Sequence, residues 1–448
     1  MAISPLDSQT VAAINNASPS GVATFFAALH GSLSIDQWLP TSNRYRVECT
    51  DRISADLQSA AGVGNTDLGE YIAASVPLHC FDGWTFLARA LSAYINGNPH
   101  QAAHFAYYAE LRASMSILAS RGIGVFKNRH FNIDATGTCN LLYSRRSTHE
   151  FAWLALEAWS KRVSSGSDLL KLLTVSGVSI SDWFNPVPSA SMASSTASKW
   201  LKEWGIDLAT VETDHDIRNL ASYRPNEFSP WGSDARGCSG FLRGLWSLFE
   251  PSTTSFEALD RELLRSLVQR VIVNSGTHAG HSQQARINSE ISAMLNGLPI
   301  SDSARNTQRT FLLSTAPSPS LLTLSQSTGA MTDPNIHERV IARAALLLRV
   351  ASGFCLELIE NAPFQVEDLK FWTGPWAGRR SFWRDGYALD NFADLWLDVA
   401  VAIEDENEWF AMHDAGDDIS MHEWRDQREA SIRPMTECDR IALWGLVR

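Results

Sequence analysis

Cysteine is scarce in this 448-residue chain, and none of it is paired for metal binding. The six residues Cys49, Cys80, Cys139, Cys238, Cys355 and Cys438 are scattered, with no C-x-x-C among them. This argues against a zinc ribbon or a disulfide framework and predicts reduced thiols packed in cores. Long hydrophobic runs are also missing. No stretch stays apolar for the roughly eighteen residues a membrane span needs, and the most apolar segment, "AALLLRVASGF" with its flank, carries Arg343 and Arg349. The start, "MAISPLDSQTVAAINNASPSG", has no basic region followed by an apolar one, so no signal peptide and a cytoplasmic location are expected.

Several catalytic signatures are lacking as well. The sequence holds no Walker P-loop, no G-x-S-x-G elbow and no kinase motif set. "GCSGF" at Gly237 to Phe241 lacks the flanking glycines of the elbow. "HQAAH" places His100 and His104 on one helix face but without the Glu of a zinc peptidase. "MHDAGDDISMHEW" groups His413, Asp414, Asp417, Asp418, His422 and Glu423, yet its spacing fits neither an EF-hand loop nor a zinc site. No metal and no cofactor are expected.

What is present points to a folded protein. Apolar residues make up 45% of the chain and there are 16 Trp, so a disordered chain is excluded. The length exceeds one ordinary core and predicts two or three domains. The net charge of −12 is uneven: Asp385 to Glu429 holds fourteen Asp/Glu and two Arg, so the remainder is close to neutral. Whole-chain acidity argues against general nucleic-acid coating but leaves room for one basic groove.

Most segments read as helix. Apolar residues at Phe105, Tyr108, Leu111, Met115 and Leu118 give helical spacing, and Gly122 and Gly124 stop that helix. Capping boxes are read at Ser34/Gln37, Ser147/Glu150 and Thr254/Glu257. Asp333-Pro334 opens a long helix from about His337 to Glu360. Strand signals are few: "GVFKNRHFNI" and "TCNLLYS" form a small hairpin turning at Asp134 to Thr138. Asn185 to Ser198 and Ser314 to Asn335, rich in Pro, Ser and Thr, read as linkers or long loops. No strand–helix alternation supports a Rossmann or barrel fold.

Three surface candidates follow. Arg121, Lys127, Arg129, His130, Arg145 and Arg146 interleave with Phe126, Phe131 and Tyr143, which suits a phosphate backbone with stacked bases and equally a partner's acidic surface or a solvated hairpin. "FWTGPWAGRRSFWRDGY" concentrates Trp372, Trp376 and Trp383 with Arg379 and Arg380, the make-up of a partner-binding hot spot, and equally of inter-helix packing. Asp390, Asp394 and Asp398 repeat every four residues, opposite Phe392, Leu395, Val399 and Ile403, and suit either a wet face or a basic partner.

The segment "DHDIRNLASYRP" holds Arg218-Asn219 and then Tyr223. With "HFAYYAELRASMSILASRGIGVFKNRH", where an aromatic pair is followed by Arg112 and a small-residue stop, it resembles the YaaC-like, HEPN-related helical proteins over about residues 99–228. The resemblance implies an all-helical core, pairing into a homodimer, other protein subunits as partners and a place in prokaryotic antiviral defence. In an active HEPN ribonuclease the motif is Arg-Asn-x-x-x-His: the His takes the 2′-hydroxyl proton and the Arg holds the phosphate. Here Tyr223 replaces the His, and Tyr is a weak base because its ordinary pKa is about 10. His215, three residues before Arg218, offers a partial substitute, and the segment reads equally as a helix end or dimer seam tied down by Arg218 and Asn219 with Asp214 and Asp216 capping and pairing.

The expected architecture is therefore mainly α and multi-helix, with an N-terminal helical region at 1–98, a HEPN/YaaC-like core with a small β-hairpin at 99–250, and an acidic, Trp-rich helical region at 251–448. The expected function is that of a non-enzymatic or catalytically lapsed protein acting through protein partners, with RNA or DNA at the basic spot. The alternative is a metal-independent endoribonuclease using Arg218, Tyr223 and His215.

Overall fold

A computed structural model describes residues 4–201, 203–204, 234–252, 256–273, 283–326, 335–362, 364–383, 389, 391–414 and 417–446. The fold is mainly α. In chain order the α-helices are α1 (Ser8–Asn15), α2 (Pro19–Leu29), α3 (Cys49–Asp56), α4 (Asn65–Ile95), α5 (Pro99–Ser120), α6 (Thr148–Ser160), α7 (Ser165–Leu172), α8 (Ile180–Phe184) and α9 (Ala190–Leu201). They continue as α10 (Ala235–Leu248), α11 (Glu257–Val268), α12 (Gln283–Asn296), α13 (Asp302–Leu312), α14 (Ser320–Gln326) and α15 (Ile336–Asn361). The last are α16 (Lys370–Gly378), α17 (Trp396–Ala411), α18 (Met421–Thr436) and α19 (Ile441–Trp444).

Three long helices, α4, α5 and α15, pack on one another at the centre. Small residues permit the close approach: a Cβ on Gly83 of α4 would lie 2.6 Å from the Leu348 side chain of α15 and 3.3 Å from Cβ of Arg112 on α5. The Trp84 indole donates to Ser352 Oγ at 3.0 Å across the same crossing. These helices come from all three expected regions, and buried apolar residues from Ile14 to Leu446 form one connected core. The expected boundaries at 98/99 and 250/251 thus fall between elements that share this core.

Buried ion pairs lace it. Arg343 Nε lies 3.2 Å from Glu110 Oε1 between α15 and α5. Arg428 pairs with Glu406 at 2.9 Å, and Trp424 Nε1 donates to the same carboxylate at 2.8 Å. Lone buried charges are costly, so each such carboxylate holds its cation in place.

The hairpin forms where expected and gains a third strand. β2 (His130–Ile133) pairs antiparallel with β3 (Cys139–Leu142), and β1 (Ile123–Val125) pairs with the other edge of β2. Asp134 fixes the turn by accepting from the backbone N–H groups of Thr136 and Thr138. A smaller ladder of β4 (Thr174–Val175) and β5 (Val178–Ser179) turns at Ser176-Gly177, both with positive φ.

Local signals were mostly kept. Gly122, at φ +85°, follows the end of α5, and Ser147 and Glu150 form the reciprocal capping box of α6. The box read at Ser34/Gln37 is a correction: those residues form a β-bridge around Asp36 at φ +65°, not a helix start. Tertiary docking wins there, because the Asp36 N–H donates to Phe371 O at 2.9 Å and the carboxylate pairs with Arg379. The two expected linkers are also partly helical, as α9 and α14. Thr254 and Asp333-Pro334 lie outside the described residues. Among the described residues no helix is long and apolar enough to cross a membrane.

Candidate anion-binding pocket

A cavity of about 290 Å³ opens where α4 and α5 meet β1. Tyr71, Ser75 and His79 line it from α4, and their spacing of four puts them on one helix face. Arg112 and Met115 face them from α5, and Phe126 and Lys127 close the side formed by the β1–β2 loop. The first turns of two helices also reach it, through Thr50 of α3 and Thr148 of α6. Both starts already hold acidic groups, since Ser147 and Glu150 cap α6 and Asp51 lies in the first turn of α3, so what they offer the cavity is the Thr50 and Thr148 hydroxyls.

Arg112 is anchored but not consumed. Its Nε lies 2.8 Å from Asp82 Oδ2, and its Nη1 lies 3.3 Å from His79 Nδ1. A guanidinium can only donate, so His79 accepts at Nδ1 and carries its proton on Nε2. Burial, reinforced by the Arg112 charge, pushes the imidazole down to about 3, so His79 is a neutral donor at physiological pH. No acidic side chain lines the cavity among the described residues. Tyr71 packs on Phe126 with ring centroids 5.7 Å apart, giving one wall an aromatic surface. The Tyr71 phenol is pushed up by burial, and the neighbouring Cys49 thiol is pushed up to about 12 for the same reason. Both stay protonated, which leaves neither as a ready nucleophile. The arrangement can bind an anion carrying a flat ring.

The six basic-spot residues have different fates. Lys127 is exposed at the cavity, and Arg145 is exposed on the loop after β3. Arg129, half-buried, donates to its neighbour's carbonyl at Asn128. Arg146, half-buried, donates to Ser4 O at 3.1 Å and lies 3.8 Å from Glu150. Arg121 is buried, paired with Glu357 and stacked over Phe354 at 4.1 Å. His130 is fully buried: Nδ1 accepts from the Phe126 N–H, Nε2 donates to Arg146 O, and the ring stacks on Phe151 at 3.6 Å. Four of the six remain at least partly accessible, and only Lys127 lines the cavity.

The aromatic–arginine segment is largely tied inward. Trp376 is buried, with Arg380 stacked over it at 3.8 Å, and Arg380 Nε pairs with Asp439 at 2.8 Å. Half-buried Trp372 packs against Trp38 at 5.9 Å, and half-buried Trp383 stacks on Phe392 at 6.0 Å. Arg379 is exposed and pairs with Asp36. On the acidic helix, Asp398 pairs with Arg440 at 2.7 Å, while Phe392, Leu395 and Val399 are buried; Asp390 lies outside the described residues. So do Arg218, Tyr223 and His215. Around His413 the ring donates to Trp409 O at 2.8 Å, and among the described residues no group of three His, Cys, Asp or Glu could hold a metal ion.

Sequence reasoning missed Tyr71, Ser75 and His79, although a polar stripe at spacing four on the otherwise apolar α4 is a visible signal. Arg112 was noticed only as part of a resemblance. Compared with known proteins, the chain matches no family model, and no curated protein or solved structure is significantly similar to it.

Proposed function

We propose that the protein is a non-catalytic helical binding protein that takes a phosphate-bearing nucleic-acid ligand at the cavity between α4, α5 and β1. The observation that carries this reading is the convergence of Arg112, Lys127 and the hydroxyl-bearing Thr50 and Thr148 beside the Tyr71–Phe126 wall. Cations and hydroxyls hold phosphate, and an aromatic face accepts a base. Exposed Lys127 and Arg145, with half-buried Arg129, extend the positive charge along the loops of the three-stranded sheet. A strand can follow that rim into the cavity. The protonated state of Tyr71 and Cys49 supports binding rather than chemistry there. The resemblance to HEPN-related proteins supplies the proposed setting, a multi-subunit component of a prokaryotic antiviral system.

The test is fluorescence anisotropy of a labelled single-stranded RNA with the full chain, in EDTA, at two salt concentrations. Affinity should fall with salt, and Lys127→Ala should weaken binding and reduce the slope of log K against log salt by about 0.7, the share of one phosphate contact. RNA binding unaffected by Lys127→Ala and Arg112→Ala would remove the cavity from the function.

A further inference from the structure

The cavity is small. Its volume of about 290 Å³ sits at the bottom of the range for small-molecule sites, roughly 300–1,000 Å³. Ile72, Met115 and Ala119 add apolar lining. Such a space holds one nucleotide-sized unit and not a run of chain. Its charge is concentrated as well. Lys127 and Arg112, whose charge is shared with Asp82, meet there with the neutral donor His79 and the Thr50 and Thr148 hydroxyls. An internal phosphodiester brings one negative charge, whereas a phosphomonoester brings between about −1.5 and −2 at neutral pH. The monoester also offers three terminal oxygens against two, which gives Arg112, Lys127 and the Thr50 and Thr148 hydroxyls separate acceptors in the recess.

We infer that the group seated in the cavity is a phosphomonoester bearing one nucleobase, either the phosphorylated end of a strand or a free mononucleotide. The inference rests on the nucleic-acid reading and narrows it. The phosphate lies between Arg112 and Lys127, with the hydroxyls of Thr50 and Thr148 at hand. The base lies against Tyr71 and the apolar lining. Arg112 is held for this task by Asp82 and His79: because His79 is neutral, it fixes the guanidinium without adding a competing charge of its own.

The test uses the full chain and one RNA decamer in three forms, with a 5′-phosphate, with a 3′-phosphate and with hydroxyls at both ends. Adenosine 5′-monophosphate, adenosine and inorganic phosphate serve as competitors. One phosphorylated decamer is expected to bind about tenfold tighter than the hydroxyl form, since the added charge and terminal oxygens meet Lys127 and the anchored Arg112. The monophosphate should compete where adenosine does not. Arg112→Gln should remove the preference for the phosphorylated end, and Lys127→Ala, at an exposed position, should shrink it without touching the fold. Equal binding of all three decamers, weakened alike by Lys127→Ala, would overturn the inference and leave the nucleic-acid reading standing. Inorganic phosphate competing as well as the monophosphate would overturn the nucleobase half. A monophosphate that binds while no decamer does would support the mononucleotide and overturn the strand. Binding of none of these probes would overturn both readings.

Discussion

Arg349 grips Asp260 with two parallel hydrogen bonds deep in the interior, Nε to Oδ1 at 2.9 Å and Nη2 to Oδ2 at 2.6 Å. The same guanidinium donates to Leu172 O at 3.0 Å, and the same carboxylate accepts from the Thr174 N–H at 2.7 Å. One pair thus joins α15, α11 and the end of α7 to β4. Removing one partner strands a buried charge. Arg349→Met should therefore lower unfolding stability by about 3–5 kcal/mol. Adding Asp260→Asn should recover a large part of that loss, because the stranded group is then neutral. Urea unfolding followed by circular dichroism measures both, and a double variant no more stable than the single would show that packing, not charge, sets the cost.

His130 predicts an acid sensitivity of known sign. Both ring nitrogens are committed, with Nδ1 accepting from the Phe126 N–H, so a second ring proton would face a donor. Burial pushes the imidazole down to about 4. The folded value lies below the ordinary value of about 6.5, so the unfolded chain binds more protons between the two. Stability from this group is complete above pH 6.5 and is lost as pH falls toward 4, by about 3 kcal/mol in all. His130→Gln should flatten the pH dependence of the urea midpoint over that window. An unchanged slope would shift the sensitivity to other groups, His79 first.

The contrast between legible and hidden features follows from the range of the interactions. The α6 cap needs only Ser147 and Glu150, three residues apart, and was readable as such. The Asp134 turn is equally local. The cavity is not: Lys127 follows Arg112 by fifteen positions and Tyr71 by more than fifty, and only the packing of α4 on α5 and β1 brings them together. Arg121 and His130 looked like part of a basic surface because composition carries no inside or outside. Their burial is set by β2, all four of whose residues are interior, and by Glu357 waiting on α15. The partner candidates Trp376 and Arg380 were read as open to either role, and the internal one is filled here by Asp439 and Thr85.

Arg380 and Asp439 make a second pH prediction, of opposite sign. Burial pushes the Asp439 carboxyl up to about 6, against the pull of Arg380. Since the folded value is above the ordinary one, the group's contribution is complete below about pH 4 and is lost as pH rises through 6. Without Arg380 the charged carboxylate would be left alone in the interior. Arg380→Ala should cost about 3 kcal/mol at pH 7.5. At pH 5 the loss should be visibly smaller, because Asp439 then holds a proton. Paired unfolding curves at the two pH values test this, and a pH-independent loss would assign the effect to the stack of Arg380 on Trp376.

Gly166 explains why a serine-rich stretch that reads as a linker is a packed helix. It lies on α7 facing α9, where a Cβ would sit 2.0 Å from Ser194 O and 2.6 Å from Ser198 Oγ. The serines are small enough to let the two backbones meet: Ser167 Oγ lies 3.1 Å from Ser194 Oγ, and Ser165 Oγ lies 3.3 Å from Ser198 Oγ. The composition that signals a loop is here the composition of a close helix crossing. Because the first clash is with backbone, it cannot be relieved by a rotamer change. Gly166→Ala should destabilise the chain by at least about 1–3 kcal/mol. Gly240→Ala is the matched control, since α10 leaves open space around that position and a helical Ala is favoured over Gly by about 0.5–1 kcal/mol. Opposite shifts in the melting temperature of the two variants are expected, and a neutral Gly166→Ala would mean that α7 and α9 do not hold this approach in solution.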